Sequence, residues 1–269
     1  MGDEEILPKI EKWRRAAIER MDTDLWNGSF YRTYGSPGGP SRETCFAGML
    51  AGQCFTRMLT GRDVLPPDRL LPCADALMRL NGSDKFGVPP DEATPDGECA
   101  TMYGWLPYVE AFGLTAAATV GDERVMTVWE RITAAVAQNG QRLCDVRLMY
   151  RPAAGDISWG SYYMTAPAAW LVYNALLDFF YTPEDGALRL NPQLRGTVAV
   201  VHPLWWGLAE VSDNEITLKI ERVFSDEPLR IRCIELLDHT NEGAASYRRV
   251  ELPEPVEIKP GAMVELKRK

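Results

Sequence analysis

Eight acids fall in loop-like stretches of the chain: Asp22, Asp24, Asp84, Asp91, Glu92, Asp96, Glu98 and Asp156. Two more, Glu43 and Glu110, fall near or in predicted helices. Two carboxyl groups facing one bond are what glycoside hydrolysis needs, one to donate a proton and one to attack or to activate water. Aromatic residues gather in the same stretches, among them Trp26, Tyr31, Tyr103, Trp105, Tyr108 and Trp159. A sugar stacks its C–H face on such rings, and a protein core uses the same residues for packing. Glu110 stands out because "GWLPYVEAFGLTAAATVG" is apolar around it, and a carboxylate buried there needs partners. It is either an active-site acid or a structural hydrogen-bond acceptor.

Other chemistries have less to work with. "DTDLWNG" has too few regularly spaced oxygen donors for a calcium loop, and "GSPGGP" lacks the lysine of a phosphate loop. His202 and His239 stand alone, and His202 reads as a packing residue at a strand end. The six cysteines form no CxxC pair and read as free thiols in a reducing compartment. No metal and no cofactor is expected.

The elements that position these residues change character along the chain. Leu7–Met21, Ser41–Gly61, Pro67–Asn81, Trp105–Val120, Glu123–Gln138 and Tyr162–Tyr181 have helical spacing of apolar residues. From Glu184 onward short alternating runs such as "EITLKIERVF" and "LRIRCIELL" predict antiparallel strands. The expectation is a mainly α chain with a C-terminal β segment: a helical domain over 1–185 and an antiparallel segment or small sandwich over 186–269. The chain has 269 residues, is 46% hydrophobic and carries a formal charge of -9, which disfavours a nonspecific grip on nucleic acid or anionic lipid. The first residues lack an apolar signal core and no run spans a membrane, so a cytoplasmic protein is expected.

Four stretches in order, "DLWNGSFYRTY", "FAGMLAGQCFTRMLTG", "GLTAAATVG" and "SYYMTAPAAWLVYNAL", resemble the C-terminal half of the non-lysosomal glucosylceramidase and β-glucosidase family, glycoside hydrolase family 116. The resemblance implies a partial (α/α)6 toroid for the helical part. It implies a sugar site drawing on Trp26, Asn27, Tyr31, Tyr103, Trp105 and Thr165, with Glu110 and Glu43 as the acids within reach. Departures fall on the chemistry. Gly48 stands where the family has its acid/base aspartate, Thr165 where it has a substrate-binding arginine, and the nucleophile lies upstream of anything matched here. Strict spacing puts Pro107, and only a slipped register Glu110, at the family's binding glutamate.

The resemblance therefore implies a subunit of a split glycosidase for β-glucosides, active only with a partner chain. Its alternative is a non-catalytic glycan-binding or scaffold protein derived from a glycosidase half. Six helices do not close a ring of twelve, so a second protein chain, another copy or the β segment folded back is expected to cover the open apolar faces. The glycines at 48 and 52 are expected to let a neighbouring helix come close.

Overall fold

The structure is a computed structural model. It describes residues 6–35, 38–39, 41–101, 107–139, 149–152, 157–160, 168–238 and 246–267. The helices are α1 (Ile6–Arg20), α2 (Ala51–Thr60), α3 (Pro67–Ala76), α4 (Pro107–Thr119), α5 (Arg124–Asn139) and α6 (Ala169–Leu177). A π turn follows α1 over Met21–Leu25 and another follows α3 over Leu77–Asn81. Short strands β1 (Arg32–Tyr34), β2 (Arg42–Phe46) and β3 (Glu92–Ala93) form one antiparallel sheet, and β4 (Met149–Tyr150) pairs with β5 (Ile157–Trp159).

The C-terminal strands are β6 (Phe180–Thr182), β7 (Ala187–Arg189), β8 (Gly196–His202), β9 (Trp205–Val211), β10 (Glu215–Val223), β11 (Arg230–Asp238), β12 (Ser246–Glu257) and β13 (Met263–Lys267). They build two four-stranded sheets, ordered β13-β10-β9-β8 and β12-β11-β7-β6. Alternation along β10 sends Ile216, Leu218 and Ile220 inward. They meet Leu188 and Ile231 of the other sheet in one core, with Trp205 fully enclosed. Leu177 and Tyr181 carry the end of α6 into that core, which joins the sandwich to the helices.

The helical layer has two cores. Ala111, Leu114, Ala117 and Ala118 of α4 meet Val125, Val128 and Ile132 of α5 and Val172 and Leu176 of α6. Leu50 and Cys54 meet Leu70, Cys73 and Leu77 in the other. α2 stops at Gly61, whose φ of 69° lets its N–H reach the Arg57 carbonyl at 2.8 Å. α6 stops at Asp178, the one non-glycine among the described residues with positive φ, 43°.

The structure corrects the expected fold. Among the described residues there are four sheets, and β1 to β5 are threaded through the half predicted to be helical. This is a mixed α/β protein and not a mainly α chain built on a partial (α/α)6 toroid. Membership of glycoside hydrolase family 116 falls with the toroid, and so do both the split-glycosidase and the glycosidase-derived binding readings. The predicted helix at Ser41–Gly61 shows why. Its first part is β2, where Thr44 meets Thr33 across the sheet at 2.8 Å and Glu92 at 2.5 Å, and Arg42 pairs with Glu92 at 2.7 Å. Partners distant in sequence override local helical spacing there. Likewise the apolar run to Tyr181 leaves the helix at Asp178, and Phe180–Thr182 pairs with β7. Pro72 lies inside α3 and not in its first turn. Gly48 is in the turn before α2, and a Cβ on Gly52 would meet nothing within 4 Å. The close approach is made instead by Gly113 of α4, where a Cβ would stand 3.0 Å from the Ala47 carbonyl oxygen.

Candidate functional site: a cleft between helices and sandwich

α4 packs against both α2 and α6, so the three make a groove with α4 as its floor. At one end the groove deepens into a cavity of about 70 Å³. Gln53, Cys54, Arg57 and Met58 line it from α2, Thr115, Ala116 and Thr119 from α4, and Leu171, Asn174 and Ala175 from α6. Leu70, Asp178, Phe179, Phe180 and Arg189 complete it. By the volume that one water centre needs, it has room for about five waters or a molecule of similar size.

A charge network closes the deep end. The Arg57 guanidinium donates to both Asp63 oxygens at 2.9 and 3.0 Å, to Asp178 Oδ1 at 3.1 Å and to the Tyr247 hydroxyl oxygen. The Tyr247 hydroxyl faces both Asp178 oxygens at 2.9 and 3.0 Å. Arg189, 5% exposed, donates to Glu235 at 2.7 Å and to the Gly61 carbonyl at 2.9 Å, and its guanidinium lies 3.6 Å from the centre of the Tyr247 ring. Gln53 fixes the loop that carries Asp63: its amide donates to Asp63 and accepts from Val64 and Leu65 at 2.9 and 3.0 Å. Burial pushes the Asp178 carboxyl upward, against the pull of Arg57, Arg189 and Tyr247. Burial and the Asp178 charge raise the Tyr247 phenol. Burial opposes the Arg57 charge, yet Tyr247, Asp63 and Asp178 outweigh it and hold the guanidinium protonated. Three carboxyls thus face two guanidiniums, and residues from α2, α6, β7, β11 and β12 are bound together across the two layers. One polar group in the cavity lacks a partner. Thr115 is 7% exposed, and its hydroxyl makes no hydrogen bond.

Of the residues singled out in the sequence, Trp26, Asn27, Tyr31 and Glu43 lie elsewhere. Trp26 and Tyr31 meet edge to face at 5.2 Å, and the Arg69 guanidinium covers the Trp26 ring at 4.7 Å. Tyr31 is buried, and its hydroxyl donates to Asp22 at 2.8 Å. Asn27 accepts from the backbone N–H groups of Ser29 and Phe30 and so shapes its own turn. Glu43 is exposed on β2 and paired with Arg32 at 2.5 Å. The structure brings Trp26, Asn27 and Tyr31 together in one folded loop, and none of these four lines the cavity. Glu110 falls within α4, but its side chain lies outside the described residues, as do Tyr103, Trp105 and Thr165. His202 packs among Phe179, Tyr181 and Trp205 with its Nδ1 accepting from the Leu204 N–H at 3.2 Å, and burial lowers its pKa.

A second acidic corner sits at β3. Glu92 is held by Arg42 and Thr44. Its neighbour Asp91 has one buried oxygen with no hydrogen-bond partner, and so has Asn81, whose amide donates to the carbonyls of Cys45 and Pro90. Burial, helped by the Glu92 charge, pushes the Asp91 carboxyl up to about 6. Among the described residues no three His, Cys, Asp or Glu side chains are grouped as metal ligands, and no disulfide forms. No described helix is long and apolar enough to cross a membrane.

Nothing in the sequence singled out the cavity. The polar network at its end joins residues up to 190 positions apart, as Arg57 and Tyr247 are. The one local sign was Asp178, an acid at the end of a strongly apolar helix. No known protein family matches the chain, and no curated protein shows detectable similarity to it.

Proposed function

We propose that the chain is a binding protein for a small, uncharged amphipathic molecule seated in the cleft over α4. The observation that carries this reading is the Thr115 hydroxyl, buried and without a partner in a cavity whose apolar walls include Met58, Leu70, Leu171 and Phe179. A buried hydroxyl left unsatisfied costs about 1–3 kcal/mol, and a ligand that supplied its hydrogen bond would recover part of that. The apolar walls hold water poorly and favour an alkyl body. The two guanidiniums that line the cavity, Arg57 and Arg189, are already paired with Asp63, Asp178 and Glu235, so an anionic ligand finds no free cation there.

A matched trio tests this: isobutanol, isobutylamine and isobutyrate, followed by ligand-observed NMR and thermal shift. About five or six heavy atoms in such a site correspond to a dissociation constant of about 1–10 mM, well inside the efficiency ceiling for tiny ligands. The alcohol is expected to bind, and the amine and the carboxylate, both charged at neutral pH, to bind more weakly by roughly threefold or more. Thr115→Val keeps the shape and removes the hydroxyl, so it should weaken isobutanol while leaving the fold intact. No saturation by any of the three, or equal binding of all three to Thr115→Val and the natural chain, would overturn the proposal.

A further inference from the structure

We infer that α1 is an arm that docks into the α2–α4–α6 groove of a second copy of the chain. α1 is amphipathic, with Leu7, Ile10, Trp13 and Ile18 along one side, and Trp13 is 64% exposed. Every residue of α1 except Glu11 is exposed, and none is buried. A 15-residue helix with an apolar stripe and none of the described residues over that stripe is marginal alone in water. The groove presents the complementary surface. Met58, which lines it from α2, is 43% exposed, and Phe55, 44% exposed, meets Phe112 of α4 at 5.3 Å between ring centres; Leu59 of α2 and Trp170 of α6 are exposed as well. An α-helix about 22 Å long laid in a groove between two helices is a standard mode of recognition, read as anchors three and four residues apart.

Charge selects the occupant. α1 carries five basic and two acidic residues, so it is +3, while the rest of the 269-residue chain is −12. A basic arm is drawn to an acidic body, and the acidic body of another copy is the surface this chain itself supplies. An anionic membrane would attract α1 but repel the remainder. With two arms and two grooves, a twofold pair makes the same contact twice and closes on itself. The arm then lies across Met58, which also lines the cavity, so docking lids the cleft. The docking does not depend on any ligand in the cleft, and its test is separate from the ligand test.

The test is the native mass of the full chain by light scattering and sedimentation over about 1–100 µM, the range in which a modest helix-in-groove interface assembles. The natural chain is expected at twice its 30.1 kDa mass. Trp13→Glu on the arm and Phe55→Glu in the groove should each weaken assembly by roughly tenfold or more. Both are exposed sites, so thermal unfolding of the dilute variants should match that of the dilute natural chain. Mixing the two variants restores one natural arm–groove pair and should recover dimer. A monomer throughout the range would overturn the inference. So would a dimer indifferent to both substitutions, or a monomer whose Trp13 emission shifts only on phosphatidylglycerol vesicles.

Discussion

Asp91→Asn should make this protein more stable at neutral pH, the reverse of what removing a surface acid usually does. The Asp91 carboxyl is lifted from its usual 3.8 to about 6, because burial disfavours its charge and Glu92 adds repulsion. The folded state therefore binds this proton more tightly than the unfolded chain does. Stability from this group is greatest below pH 4, falls as pH rises from about 4 to 6, and is flat above. At about 1.4 kcal/mol per tenfold in proton affinity the full loss is about 3 kcal/mol. The side chain is not completely enclosed, so water screens part of it and about 1–2 kcal/mol should remain. For a chain of this size that is about 2–4 °C in melting temperature. Parallel thermal melts of Asp91→Asn and the natural chain at pH 4 and pH 7.5 measure it: little difference at the lower pH, the variant higher at the upper. A variant destabilised equally at both would mean that ionised Asp91 is held by a favourable contact, and the argument from burial would fail. Asp122→Asn is the control of opposite sign. Burial raises that carboxyl, but Arg124 outweighs burial and lowers it. Its contribution is present at pH 7.5 and fades as pH drops through the carboxylate range, and loss of the turn it makes with the Arg124 N–H should cost about 0.5–2 kcal/mol.

Asp178→Ala removes the carboxyl shared by Arg57 and Tyr247 and should cost about 3–5 kcal/mol in urea unfolding, because a guanidinium is left buried and short of a partner. Asp178→Asn keeps an acceptor for Tyr247 and a residue that tolerates positive φ, so it should cost distinctly less; equal losses would show that the ion pairs do not matter. The two glycines of the α2 region should respond oppositely to alanine. Gly52→Ala has open space and a helical backbone and should gain about 0.5–1 kcal/mol. Gly61→Ala faces both a φ of 69° and the Phe180 ring at 2.9 Å, and should lose about 1–3 kcal/mol by the same melts.

Local rules are visible in the chain. The apolar period of Val125, Trp129 and Ile132 marks α5, and the run of small residues after Phe112 marks α4, each within two residues of where the helix lies. Alternation marks β10 and β11 because one face of each strand is buried and the other is not. Arg42–Phe46 carried no such mark. Its strand exists because Thr33 and Glu92 come alongside, and those partners are 11 and 48 residues from Thr44. Short words such as "LAGQ" suggested a family because small apolar residues recur wherever helices pack, and packing does not specify one fold.

By itself the sequence determined an acidic, core-forming chain with helical periodicity early and strand periodicity late, since these depend on composition and on neighbours three or four residues apart. Only the tertiary structure decided that sheets interrupt the helical half. It alone brought Arg57, Asp178, Arg189, Glu235 and Tyr247 to one place, and it alone left the Thr115 and Asp91 oxygens without partners. Those outcomes depend on which surfaces meet, and a buried charge or an orphaned hydroxyl has an energy only once its surroundings exist.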